Sequence, residues 1–225
     1  MEPIGIELQD PPPPPANIST FPDCLEEKIP ASLYDEMWRF LKLKNLQLDP
    51  EFFYSSERKL PINILHTNFG TGKSILPYAG HQLITSYSND NKCYEHAKTV
   101  TAKFFKSFFG DIADLFRYPG AGRQKKYDLV ISIPDADNGN YHKLDGEKEF
   151  AKLSIYEYYS YRLQYLLKRG GYLCVILPQN EVRKITGKEI VYKKNNNPLY
   201  DYNCFVEALI SRERINYSVL IFKKY

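Results

Sequence analysis

The sequence is short of several features that would classify it at once. No apolar run approaches the roughly 18 residues that a membrane-crossing helix requires, so no membrane is expected. The N-terminus is acidic and proline-rich, without the basic start and apolar core of a signal peptide. Cys24, Cys93, Cys174 and Cys204 are scattered and form no C-x-x-C pair; His66, His81, His96 and His142 complete no zinc spacing, so no metal is expected. Thiols spaced in this way, without an export signal, read as buried cysteines of a cytoplasmic protein. In that setting the glycosylation pattern Asn17-Ile18-Ser19 means little. Charge is also nearly absent as a signal. Thirty basic against 27 acidic residues leave +3, too little to imply nucleic acid on its own.

The composition is that of a folded chain. Hydrophobic residues make up 43% of 225 residues, enough for one domain of ordinary size plus a tail. Tyrosine (19) and phenylalanine (13) are abundant; they can line a base-stacking surface, although biased codon usage accounts for them more simply. Pro11–Pro15 can be neither helix nor central strand, so residues 1–20 are expected to be a disordered, extended arm. It reads as a spacer or as a docking ligand for an aromatic groove.

From Ala31 to Leu48 the apolar positions Leu33, Met37, Trp38, Phe40, Leu41 and Leu46 suit an amphipathic helix, with Ser32 as its cap. Residues 21–58 then form a helical lead-in and 59–225 the main domain. In that domain PINILH (61–66), QLITSYS (82–88), YDLVISIP (127–134) and YLCVILP (172–178) read as strands. YEHAKTVTAKFFKSFF (94–109) and FAKLSIYEYYSYRLQYLLKRGG (150–171) read as helices, the second stopped by Gly170 and Gly171. CFVEALI and INYSVLIFKK read as a final antiparallel pair. Strand and helix alternating in this way imply a doubly wound α/β fold, with ligands at the carboxyl ends of the strands.

One such end carries His66-Thr67-Asn68-Phe69-Gly70-Thr71-Gly72-Lys73-Ser74. Gly72-Lys73-Ser74 is the second half of a phosphate-binding loop. The first half requires a glycine where Thr67 stands, and no strand presents a magnesium-binding Asp, since Pro134 interrupts DLVISIPD before Asp135. A bland reading remains, in which the triplet is a helix start with Lys73 in solvent.

From residue 60 to about 223 the chain resembles the adenine-specific DNA methyltransferases that act on the exocyclic amine. The resemblance rests on the order of its parts: the glycine loop after the first strand, SYSNDNKCYEHAK after the second, DLVISIPD, and YLLKRGGYLCVILPQNEV, which matches best. It implies a Rossmann-like, seven-stranded methyltransferase sheet, mostly parallel with an antiparallel C-terminal edge. It also implies S-adenosylmethionine as cofactor, received by His66, Asn68, Gly70, Gly72, Ser88 and Asp90. The catalytic tetrapeptide falls on Ser132, Ile133, Pro134 and Asp135, where the Ser132 hydroxyl and the Ile133 carbonyl would hold the amine of a flipped base.

The departures fall on the chemistry. His66 stands where the family has an acid, Ser88 where the ribose-binding acid belongs, and Asp135 where an aromatic ring stacks on the base, a contact worth about 1–3 kcal/mol. The pattern implies a methyltransferase-like protein with impaired catalysis. The alternative is a non-catalytic scaffold or nucleic-acid-binding subunit on the same fold. DNA or RNA is an expected partner, through Arg123, Lys125 and Lys126 and through Arg183, Lys184, Lys188, Lys193 and Lys194, although such charge runs also occur as solvated loops. Residues 181–203 are too few for a separate target-recognition domain, so a protein partner is expected to supply one.

Overall fold

Asn-Ile-Leu-His-Thr leaves no face for water, which suits a strand flanked by other strands and covered on both sides. In the computed structural model these residues, from Asn63 to Thr67, form an interior strand of a seven-stranded sheet. The structure describes residues 24–44, 62–79, 83–88, 90–99, 105–109, 127–134, 154–186, 204–212 and 214–225. The proline-rich arm, Asp135 and most of the basic loop residues lie outside them.

In chain order the elements are α1 (Leu25–Lys28), α2 (Ala31–Leu43), β1 (Asn63–Thr67), α3 (Leu76–Ala79), β2 (Leu83–Ser88), α4 (Asn91–Thr99) and β3 (Phe105–Phe109). These are followed by β4 (Tyr127–Ser132), α5 (Ile155–Gln164), β5 (Leu167–Pro178), α6 (Gln179–Thr186), β6 (Cys204–Ser211) and β7 (Tyr217–Lys224). The strands lie in the order β3-β2-β1-β4-β5-β7-β6. The first five are parallel; β7 runs antiparallel to both β5 and β6. The expected architecture, a mostly parallel α/β sheet with an antiparallel C-terminal edge, is the one found.

Alternation along the strands divides the core into two layers. Ile64, Leu129, Ile131, Cys174 and Ile221 face one side, where Leu33, Met37, Trp38 and Leu41 of α2 cover them. Leu65, Val130, Leu173, Val175 and Leu220 face the other, under Tyr158, Tyr159 and Leu163 of α5. Residues 24–44 of the lead-in therefore share a core with the sheet.

Local structure departs from the sequence reading in three places. The expected helix over 94–109 stops at Thr99, and Phe105–Phe109 is strand β3, paired with β2 from Ile84 to Ser88. Its Phe-Lys-Ser-Phe-Phe composition suits a half-buried pleat, and the open edge of β2 decides the outcome. The expected helix over 150–171 is α5 alone. It starts on a capping box in which Ser154 Oγ accepts from Glu157 N at 3.2 Å and Glu157 Oε2 accepts from Ser154 N at 2.7 Å. It ends before Leu167, which pairs with Tyr127 of β4, so Gly170 and Gly171 lie within β5 instead of stopping a helix. Ser32 is not a cap either: α2 begins at Ala31, after Pro30.

Candidate functional site

The carboxyl ends of β1, β2 and β4 are level, with Thr67 beside Tyr87 on one side and beside Ser132 on the other. The expected site residues that the structure describes, all but Asp135, are consequently brought to the carboxyl end of the sheet. His66 lies one residue before the end of β1, and Asn68, Gly70 and Gly72 follow it; Ser88 ends β2 and Asp90 follows; Ser132 ends β4, and Ile133 and Pro134 follow.

Most of their polar groups are already engaged within the chain. Ser132 Oγ accepts from Thr67 Oγ1 at 2.9 Å, and both residues are fully buried. The Ile133 carbonyl, expected to hold a substrate amine, accepts from Asn68 Nδ2 at 3.1 Å. Asn68 has φ of 57°, a left-handed conformation that asparagine tolerates. Ser88 Oγ donates to the Phe69 carbonyl at 2.7 Å. Asp90 caps α4, its Oδ1 accepting from Cys93 N at 2.9 Å.

The glycine loop is also filled, by a residue that no motif or spacing singles out. Glu26 of α1 is fully buried, with its carboxylate in the loop. Oε2 accepts from Gly70 N at 3.1 Å and Gly72 N at 2.8 Å, and Oε1 accepts from Ser74 N at 2.9 Å. The Ser74 hydroxyl donates to Oε1 as well. Three converging amides and a hydroxyl form an anion-binding concavity of the kind backbone nests provide, and here the anion belongs to the protein.

His66 completes the network. Its Nε2 lies 2.6 Å from Ser74 Oγ and 3.7 Å from Glu26 Oε1. The Ser74 proton goes to the carboxylate, so Ser74 Oγ accepts from Nε2–H, which fixes the tautomer. Burial holds the His66 imidazole below its usual pKa and thus neutral, against the opposing pull of Glu26.

Further contacts hold α1 in place. Tyr34 OH donates to the Glu26 carbonyl at 2.9 Å, and Thr71 Oγ1 donates to Glu27. Lys73 is not a free solvent cation: Nζ reaches the carbonyls of Glu27 at 3.4 Å and Ile29 at 3.2 Å, at the C-terminal end of α1. Trp38 Nε1 donates to the Ser74 carbonyl at 2.7 Å.

The glycines serve this internal packing. A Cβ on Gly70 would lie 2.0 Å from Cys24 Sγ and 2.8 Å from Glu26 Oε2. Gly72 has φ of 84°, and a Cβ there would meet Leu76 at 2.4 Å and Phe69 at 2.7 Å. The close approach that glycine permits is taken up by side chains of the chain itself, so with α1 docked these residues do not fit a cofactor at Gly70. Among the described residues no group of three or more His, Cys, Asp or Glu could hold a metal ion, and no helix is long and apolar enough to cross a membrane.

No protein-family model matches the sequence, and no curated protein does. Solved structures match by fold. The chain is similar to the magnesium protoporphyrin IX methyltransferase of Synechocystis, solved with bound SAM. The TM-score is 0.50 at 14% identity, over 85% of this chain and 78% of that one. It is also similar to the N-methyltransferase NodS of Bradyrhizobium japonicum, with a TM-score of 0.49 at 11% identity over 86% and 97% of the two chains. Together with the strand order, the first of these identifies a Rossmann-like methyltransferase fold.

Proposed function

We propose that the chain is an S-adenosylmethionine-dependent methyltransferase-like protein of the adenine-specific class, with methyl transfer impaired because its cofactor loop is closed by its own Glu26. The observation that carries this reading is the Glu26 carboxylate on the amides of Gly70, Gly72 and Ser74. Departure of α1 would free three amides and the space over Gly70 together. The engagement of Ser132 with Thr67, and of the Ile133 carbonyl with Asn68, supports impaired transfer on the substrate side. DNA or RNA is the partner this class would take, with a second protein supplying target recognition.

A second reading, a non-catalytic scaffold or nucleic-acid-binding subunit, draws on the same observation, because a permanently filled loop binds nothing. Calorimetric titration of S-adenosylmethionine into wild type, Glu26→Ala and Glu26→Gln separates the readings. A removable plug predicts that both variants bind at least about tenfold more tightly than wild type. Silence in all three favours the scaffold. Micromolar binding by wild type that weakens in both variants would make Glu26 part of the cofactor site and overturn the plug.

A further inference from the structure

The methyltransferase fold accounts for the glycines of Gly70-Thr71-Gly72-Lys73-Ser74 but gives no reason for the lysine and the serine. In the structure all five residues donate to α1 or to Ile29, which ends it. Gly70 N, Gly72 N, Ser74 N and Ser74 Oγ donate to the Glu26 carboxylate, and Thr71 Oγ1 donates to the Glu27 carboxylate. Lys73 Nζ donates to the carbonyls of Glu27 and Ile29 and lies 3.9 Å from Glu27 Oε2.

We propose that this loop is a phosphate site, and that α1 carries a built-in competitor for a phosphoryl group. The inference rests on the plug reading above, since the site is vacated only when α1 leaves. It adds the chemical class of a ligand that displaces the plug.

The donor count favours phosphate over a carboxylate. Glu26 Oε2 already accepts from two amides, and Oε1 from an amide and a hydroxyl, so the four lone-pair directions of the carboxylate are used. Thr71 and Lys73 are left to find acceptors elsewhere on α1. A phosphoryl group offers three strong acceptor oxygens, enough for all five residues at once. Charge points the same way. Docked α1 brings the Glu26 and Glu27 carboxylates to the loop; its departure removes both and releases Lys73, whose flexible stem lets Nζ turn to the incoming anion. His66 supports the exchange from below. Its Nε2–H donates to Ser74 Oγ, so the Ser74 proton stays directed at whichever anion fills the loop.

The test is calorimetry on the full chain, without magnesium, using inorganic phosphate, pyrophosphate and ATP as probes. Glu26→Ala and Glu26→Gln should each bind all three at least about tenfold more tightly than wild type. Affinity rising from phosphate to ATP identifies a nucleotide as the source of the group; equal affinity identifies the phosphoryl group alone. Lys73→Met added to Glu26→Ala should lose at least about tenfold. No binding by folded Glu26→Ala, or binding indifferent to both Glu26 and Lys73, would overturn the site. Hydrogen exchange on wild type provides a second measurement that needs no variant. The amides of Leu25–Lys28 should exchange faster as phosphate is raised, and chloride at equal ionic strength should leave them unchanged. Equal responses to the two salts would also overturn the site. A Glu26→Ala variant that gains affinity for S-adenosylmethionine but not for phosphate refutes the phosphate site and leaves the plug standing. One that gains affinity for phosphate alone upholds the site and refutes the methyl-donor reading of the loop.

Discussion

Glu26 and Gly72, 46 residues apart in sequence, are joined by a 2.8 Å hydrogen bond from a backbone amide to a buried carboxylate. A fully buried charge is tolerated when enough donors surround it, and the four on this carboxylate come from one loop. The loop conformation and the docking of α1 are thus a single structural decision.

Gly72 tests that coupling. Gly72→Ala should destabilise the protein by roughly 2–4 kcal/mol, through left-handed strain and collision with Leu76 and Phe69. Gly170→Ala provides the control, because its φ of 77° is similar but no atom lies within 4 Å of the added Cβ. It should cost only about 1 kcal/mol. Denaturant midpoints measure both, and equal losses would show that strain, not crowding, sets the cost at Gly72.

The Thr67–Ser132 hydrogen bond can be isolated with a double-mutant cycle. Ser132→Ala leaves the buried Thr67 hydroxyl without its partner and should cost about 1–3 kcal/mol. Adding Thr67→Val removes the stranded group and should recover part of that loss. Strictly additive effects would mean that the two hydroxyls are not coupled.

His66 gives the protein a pH dependence of known sign. Its folded pKa is depressed by burial, so the unfolded chain takes up a proton near the ordinary value of about 6.5 while the folded chain does not. The stability it contributes is complete above that pH and declines as pH falls through it towards the lower folded pKa. The slope is at most about 1.4 kcal/mol per pH unit. Stability curves of wild type and His66→Asn between pH 7.5 and 5.5 should diverge in this sense, and parallel curves would contradict it.

Trp38 is the single tryptophan of the chain and bonds directly to the loop. Trp38→Phe keeps much of the ring packing but strands the Ser74 carbonyl, and should cost about 1–3 kcal/mol. In wild type the Trp38 fluorescence should change when α1 and α2 leave the sheet. A spectrum unaltered by Glu26→Ala, in a variant whose loop amides exchange faster, would place Trp38 outside that motion.

The sheet was legible because its strands are buried on both faces: Ile64-Leu65 and Leu129-Val130-Ile131 have no polar alternation to mislead. The stretch from Tyr165 to Gly171 was not, since Leu166 and Leu167 continue a helical stripe equally well. Only the partner Tyr127, far off in sequence, makes Leu167 a strand residue. The positions at the strand ends could be placed from order alone. The identity of the group in the glycine loop could not, because Glu26 reaches it across a separation of 44 to 48 residues with no spacing rule to announce it.

The position of β7 has a consequence for folding. It sits between β5 and β6, although both precede it in the chain. Before β7 pairs, β6 has no neighbour in the sheet and one edge of β5 stays open. Until Tyr217–Lys224 arrives, two hydrogen-bonding edges are exposed, one of them on the buried apolar run Leu173–Leu177. A chain cut between residues 211 and 217 would therefore keep these edges open for good and be far more aggregation-prone than the whole chain.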